Sequence, residues 1–193
     1  MKLAAPFIDD LPIIETPRLI LRKLRREDAQ DMFEYASDRE LAFSGLWLPY
    51  DELQESIDDI EDALKEYDDH TLLDWAVEHK ADQKMIGRAG LQSYHPRHAR
   101  ADLSYAFNRK YWGQGIATEA ITAILPFAFE TLRLNRIGAY VLWDNHASMR
   151  VLSKIGMQHE GIQRQVNALR GTPEDLHFYS ILYQEWEKAR KKR

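Results

Sequence analysis

Cysteine is absent from the 193 residues. That excludes disulfides, thiol nucleophiles and thiolate metal sites, and it does not suit a small secreted scaffold held by cross-links. Long apolar runs are absent too, and no stretch approaches the ~20 residues that span a bilayer. Residues 1–11 interrupt their apolar character with Lys2, Pro6, Asp9 and Asp10, unlike a signal peptide. These absences predict a cytoplasmic protein with no membrane partner. Basic excess is lacking as well: 26 Lys and Arg stand against 31 Asp and Glu, a net charge of −5, which argues against direct nucleic-acid binding. The histidines His70, His79, His95 and His98 have no carboxylate or third histidine at ligand spacing, so no metal is expected.

What is present reads as one domain with a sizeable core over about residues 14–186, followed by a basic tail at 187–193. Charge is unevenly spread. Residues 51–69 carry ten acidic side chains against one lysine, Lys65, which suits either a solvated face or an attraction for cations. Strands are predicted over residues 18–24, 71–78, 85–93, 101–107, 137–143, 158–166 and 177–184. A helix over 29–36 should bury Met32, Phe33 and Ala36. Another from Leu53 should bury Leu53, Ile57, Ile60, Leu64 and Tyr67. Residues 43–50 form an aromatic-rich stretch whose Trp47 serves a substrate or the core equally well. A long helical segment starts at Ile116 and should kink or end at Pro126. A short helix after Asn145 should close at Gly156. The order implies a mixed α/β (α+β) domain, with helices packed on a curved sheet.

With only nine glycines in the chain, the pair in Tyr111-Trp-Gly113-Gln-Gly115-Ile-Ala117 stands out. It joins a strand to a helix, and the open first turn of that helix is a ready anion site. The loop reads either as a phosphate cradle or as a plain strand terminator. It is neither a P-loop, since no Lys-Ser/Thr follows, nor a full Gly-x-Gly-x-x-Gly dinucleotide motif.

The run 111–120, together with Asn145-His-Ala-Ser148 through Lys154-Ile-Gly156-Met and then Glu160-Gly161, resembles the GNAT acyltransferases, with wording nearest the RimJ/RimL branch. The resemblance extends from residue 16 to residue 186. It implies a curved, mostly antiparallel sheet with a splayed central strand pair and helices on both faces. It also implies acetyl-CoA (coenzyme A) as acyl donor and direct transfer to an amine within a ternary complex. The acceptor would be a protein N-terminal alanine or serine. A cationic small amine such as a polyamine or an antibiotic, and a non-catalytic acyl-CoA-binding domain, are the alternatives, in a monomer or homodimer.

Site residues follow from the same resemblance. Backbone N–H groups of Gln114, Gly115, Ile116 and Ala117, with Gly113 and Thr118 beside them, would hold the pyrophosphate. Arg109 and Lys110 open the loop, Lys110 standing where the family usually has Gln or Arg. Ala106 and Phe107 would pair with the pantetheine arm. Asn145 would orient that arm or cap the next helix. Ser148 would protonate the leaving thiolate, because the tyrosine many relatives carry four residues on is Leu152 here. Glu160 would be the general base and Glu119 its runner-up, either being equally readable as structural. Trp47, Tyr50 and Tyr94 would wall the acceptor side.

Overall fold

The computed structural model describes residues 11–69 and 71–191. The N-terminal stretch, His70 and the last two residues of the basic tail lie outside them. The order is β1 (Ile14–Glu15), β2 (Leu19–Arg22), α1 (Ala29–Ala36), α2 (Arg39–Gly45), α3 (Leu53–Asp68), β3 (Leu73–His79), β4 (Lys84–His95), β5 (Arg100–Phe107), α4 (Ile116–Pro126), β6 (Arg136–Leu142), α5 (His146–Lys154), β7 (Gln158–Asn167), β8 (Glu174–Leu182) and α6 (Tyr183–Arg190). The strands form one sheet in the order β1-β2-β3-β4-β5-β6-β8-β7, antiparallel except where β5 meets β6.

Alternation along β3 assigns the helices to faces. Asp74 reaches Arg88, which pairs with Asp59 of α3, whereas the next residue, Trp75, packs edge-on against Phe127 just after α4. Successive strand residues point to opposite sides, so α3 and α4 cover opposite faces. Trp75 is fully buried there, with Leu19, Leu21, Ile86, Ile121 and Ile124.

The face under α1 and α3 also holds a buried ion pair. Arg22 of β2 gives two 2.7 Å bonds to Asp28 and one of 2.8 Å to Glu78 of β3. Asp28 also accepts from the backbone N–H of Arg25 at 2.8 Å, which sets the chain's entry into α1. Both partners are almost fully buried, Arg22 at 6% and Asp28 at 4% exposure. Burial works against the Arg22 charge, yet its bonds to Asp28 and Glu78 win and hold its pKa above the ordinary arginine value.

Several expectations are corrected. Of the expected α3 stripe, Ile60 and Tyr67 are buried and Ile57 and Leu64 pack partly buried against the core, whereas Leu53 is exposed and Ser56 and Ala63 are buried in addition. On this side α3 packs against α1. Residues 39–45 form a helix, α2, where an aromatic loop was expected over 43–50, and it ends on Leu46 in a left-handed conformation at φ 70°. Residues 183–190 form α6 instead of the end of a strand and a frayed tail; Trp186 docks that helix on Phe129 with ring centroids 5.1 Å apart. At Pro126 the α-helical pattern stops, as expected, and a π turn takes over at Phe127–Thr131, with Leu132 N–H bonded to Phe127 O. Proline has no N–H for the α ladder, and a wider turn absorbs that loss.

Candidate active site

The site begins where the sheet comes apart. β5 and β6 pair in parallel only at Arg100–Arg136, Ala101–Ile137 and Asp102–Gly138. Beyond that point β5 continues to pair with β4, and β6 with β8. Each strand is thus left with one free backbone edge facing the other. Gly138 sits at the fork because the Asp102 carboxylate lies over it: a Cβ there would stand 2.4 Å from Asp102 Oδ1. The gap opens into a cleft of about 400 Å³, lined by residues 103–107, 139–141, the glycine loop, the start of α4 and one side of α5.

The loop closes one end of this cleft. Asn108 is buried; its Oδ1 accepts from Lys110 N at 3.0 Å and its Nδ2 donates to Glu34 at 3.0 Å. The indole N–H of Trp112 donates to Phe107 O at 2.7 Å. Gly113 and Gly115 then take φ values of 75° and 77°, the left-handed region where other residues are strained. A Cβ at Gly113 would meet nothing within 4 Å, and at Gly115 only Arg18 Nη2 at 3.7 Å. The chain leaves open space above both glycines, next to the first turn of α4, whose N–H groups have no partner inside the helix. Gly113, Gly115, Ile116, Ala117 and Thr118 all line the cleft. Arg150 and Lys154, one turn apart on α5, also line the cleft and add positive charge. An open glycine cradle, free strand edges and two cations fit a long, phosphorylated acyl donor such as acetyl-CoA.

Gln114, Arg109 and Lys110 do not line the cleft. Gln114 folds its amide back onto Lys110 O at 2.9 Å, and its own carbonyl accepts from Arg18 at 2.9 Å. Arg109 pairs with Asp38 at 3.2 Å and Glu40 at 2.8 Å, and Lys110 with Glu34 at 2.7 Å. Glu34 also bonds Lys84, and these lysines hold its pKa at about 2 against an ordinary 4.5. A carboxylate with a depressed folded-state pKa stabilises the fold above its unfolded value and loses that contribution as pH falls. Glu34→Gln should therefore flatten the fall in stability between about pH 4.5 and pH 2. Urea melts across that window would check it, and parallel curves for both proteins would show that the α1–loop tie contributes nothing.

The two carboxylates expected as bases lie elsewhere. Glu119 accepts from Thr16 Oγ1 at 2.6 Å, Arg18 N at 3.0 Å and Arg18 Nε at 2.7 Å. Burial opposes its charge, but the bonds from Thr16 and Arg18 prevail and lower its pKa. It is a strut between the β1–β2 turn and α4. Glu160 is bonded to Arg136, at 2.8 Å for one contact, and to Ser180 at 2.6 Å, which together bring its pKa down to about 2. It sits on β7 where the register slips between His159 and Gly161, and it does not line the cleft. Neither carboxylate lines the cleft or the cavity beside it.

Asn145 and Ser148 do enter the cleft. The Asn145 side chain accepts from Ser148 N at 3.0 Å as the cap of α5 and donates to Ser44 O at 3.3 Å. Ser148 Oγ lies 2.6 Å from the hydroxyl of Tyr105. Nothing in the sequence pairs Tyr105 with Ser148, since they are 43 residues apart, whereas Arg150 and Lys154 form an i, i+4 basic pair.

A second cavity of about 450 Å³ lies beside the cleft, on the side of Asp74 and Arg88. It shares Gly45, Gln92, Ser104, Tyr105 and Ala106 with the cleft. Trp47, Tyr50 and Tyr94 line it, joined by Asp59, Asp74 and Arg88. Arg88 bonds Asp74 at 2.6 Å and Asp59 at 2.9 Å, and Tyr50 donates to Asp59 at 2.7 Å. Asp74 lies across Gly90, where a Cβ would be 2.4 Å from Oδ1. Burial raises the Asp74 pKa in spite of Arg88. Among the described residues no group of three or more His, Asp or Glu is set to hold a metal, and no helix is long and apolar enough to cross a membrane.

Comparison with known proteins bears on this geometry directly. The family model for the acetyltransferase (GNAT) domain matches residues 18–158. The uncharacterized N-acetyltransferase YoaA of Bacillus subtilis (strain 168) is 35% identical over 172 residues, covering 89% of this chain and 97% of its own. Two solved structures share the fold with similar fidelity. The ribosomal-protein-S5-alanine acetyltransferase of Vibrio fischeri has a TM-score of 0.77 at 19% identity, covering 91% of this chain and 98% of its own. The spermidine N-acetyltransferase of Vibrio cholerae, in complex with CoA and spermine, has a TM-score of 0.78 at 22% identity, covering 89% and 99%. Near-equal scores for a protein acceptor and a polyamine acceptor mean that the fold does not choose between them. The forked sheet and its glycine cradle are those of an acetyl-CoA-dependent N-acetyltransferase, and the chain belongs to the GNAT acetyltransferase family.

Proposed function

We propose that this chain is a single-domain cytoplasmic enzyme of the RimJ/RimL branch, moving the acetyl group of acetyl-CoA to the α-amino group of a protein or peptide that begins with alanine or serine. The observation that carries this reading is the shared wall. The cofactor cleft and the acidic cavity meet at Ser104–Ala106, so a donor in one and an amine in the other would come together at that stretch of β5. Acetyl-CoA supplies an acyl carbon activated as a thioester. The loop from Gly113 to Thr118 would hold its diphosphate, Arg150 and Lys154 would take further phosphate charge, and the free edges of β5 and β6 would receive the pantetheine arm.

In the transfer the C–N bond forms and the C–S bond breaks. The ammonium gives up two protons in all, one of which ends on sulfur. Asp74 faces the acceptor cavity, and its raised pKa suits a proton acceptor better than those of Glu119 or Glu160. It is tied to Arg88, however, and a carboxylate so held is a modest base. An α-amine, with a pKa of about 8, needs only modest help, whereas a lysine amine near 10.4 needs far more. A polyamine is the second reading, favoured by the excess of Asp59, Asp74 and Glu66 over Arg88 in the cavity.

The test is thiol release from acetyl-CoA against peptides beginning Ala, Ser or Met, one blocked peptide containing lysine, polyamines and aminoglycosides. Turnover on Ala and Ser peptides, lost on blocking the N-terminus and reduced about tenfold or more in Asp74→Asn, is expected. Turnover on polyamines alone would move the assignment to the second reading.

A further inference from the structure

The Tyr105–Ser148 pair is a built contact at the base of the cleft that the acetyl-transfer reading does not by itself require. Tyr105 lies three residues past the last β5–β6 pair and turns toward α5. Its ring rests near Phe107, with centroids 6.3 Å apart, and its hydroxyl reaches the first turn of α5. A single O···O contact of 2.6 Å can hold only one proton. If Ser148 were the donor, the phenolic proton would be left with the Ser148 carbonyl at 3.5 Å, a poor bond for a half-buried group. If Tyr105 is the donor, its proton is well placed and that of Ser148 is free.

We infer that Tyr105 is a positioning residue: its hydroxyl donates to Ser148 Oγ and so turns the serine's own O–H into the cleft, toward the sulfur of the acyl donor. The inference rests on the acetyl-transfer reading only for the identity of that sulfur. Burial pushes the Tyr105 pKa up to about 12, the bond with Ser148 working the other way, so the phenol keeps its proton throughout the working range. As the C–S bond breaks, its electron pair settles on sulfur, and the Ser148 O–H donates a hydrogen bond to that developing charge. No proton leaves Tyr105.

The experiment uses free CoA, bound to the wild-type chain and to Tyr105→Phe and Ser148→Ala, with the thiolate of the bound ligand titrated by its ultraviolet absorbance. An ordinary thiol titrates at about 8.5, and in the wild-type complex the donated hydrogen bond should hold it lower. Tyr105→Phe should return it upward by about half a unit or more, Ser148→Ala by as much, and the double variant no further. With an accepted amine, Tyr105→Phe should lower kcat about tenfold with KM for acetyl-CoA within about twofold, since the contact acts on the departing sulfur and not on binding. A bound thiol that titrates alike in wild type and Tyr105→Phe would overturn the inference. So would a shift in Tyr105→Phe that is absent in Ser148→Ala, because the tyrosine would then act directly. If no amine is acetylated, the acetyl-transfer reading fails while the thiol titration still decides the role of Tyr105.

Discussion

Asp28→Ala should remove about 3–5 kcal/mol of folding free energy, the cost of leaving a buried charge without its partner. Arg22 would keep Glu78 and the carbonyl of Lys23, at 2.8 Å and 3.0 Å, but would lose its two-pronged carboxylate in a place water hardly reaches. The same substitution removes the acceptor for Arg25 N–H and so loosens the start of α1. Domains are stable by only about 5–15 kcal/mol, so a large fraction of the total is at stake. Urea unfolding should show a lower midpoint with an unchanged slope. A loss below about 1 kcal/mol would mean that Glu78 alone suffices for Arg22 and that the pair contributes as little as an exposed one.

Gly115→Val should weaken CoA binding about a hundredfold, roughly 2.7 kcal/mol, while leaving the protein folded. Within the protein there is room for the new side chain, since a Cβ meets only Arg18 Nη2 at 3.7 Å. What the substitution meets is a backbone at φ 77° that a β-branched residue occupies only under strain, of about 1–3 kcal/mol. Relief of that strain would re-aim the N–H groups that start α4, and the side chain would stand in the space above the loop. Two lost charge-assisted hydrogen bonds are enough for the expected effect. Titration calorimetry with CoA would measure it, and binding within threefold of wild type would remove the loop from the phosphate site.

Much of this architecture was legible because local pattern and burial agree. The helix at 29–36 and the glycine loop lie where their residues suggest, though the helix buries Tyr35 and leaves the expected Phe33 only half-buried. The fork between β5 and β6 was legible only through family resemblance, because no periodicity in either strand says where pairing stops. α2 was hidden by its length of seven residues and by an end on Leu46 instead of a glycine. α6 was hidden because Tyr183 continues the apolar alternation of β8 before the helix turns. Glu160 misled for a different reason. Its position after the second motif is right, but the slip of register beside it sends the carboxylate to Arg136 and Ser180. Asp74 could not have been singled out, since its meaning depends on Gly90 and Arg88, which reach it only across the sheet.

The fork has a further consequence. Two strand edges lie in the middle of the sheet, each with hydrogen-bonding groups that no neighbouring strand takes up. Edges of that kind are ordinarily templates for aggregation. Here they face inward, screened by the glycine loop and α5, so another chain meets them only through the mouth of the cleft. A ligand lying between them binds the folded chain and not the unfolded one. Its occupancy therefore adds to stability, by about 2.7 kcal/mol at a hundredfold excess over Kd. The folding equilibrium is thereby linked to the concentration of whatever fills the fork.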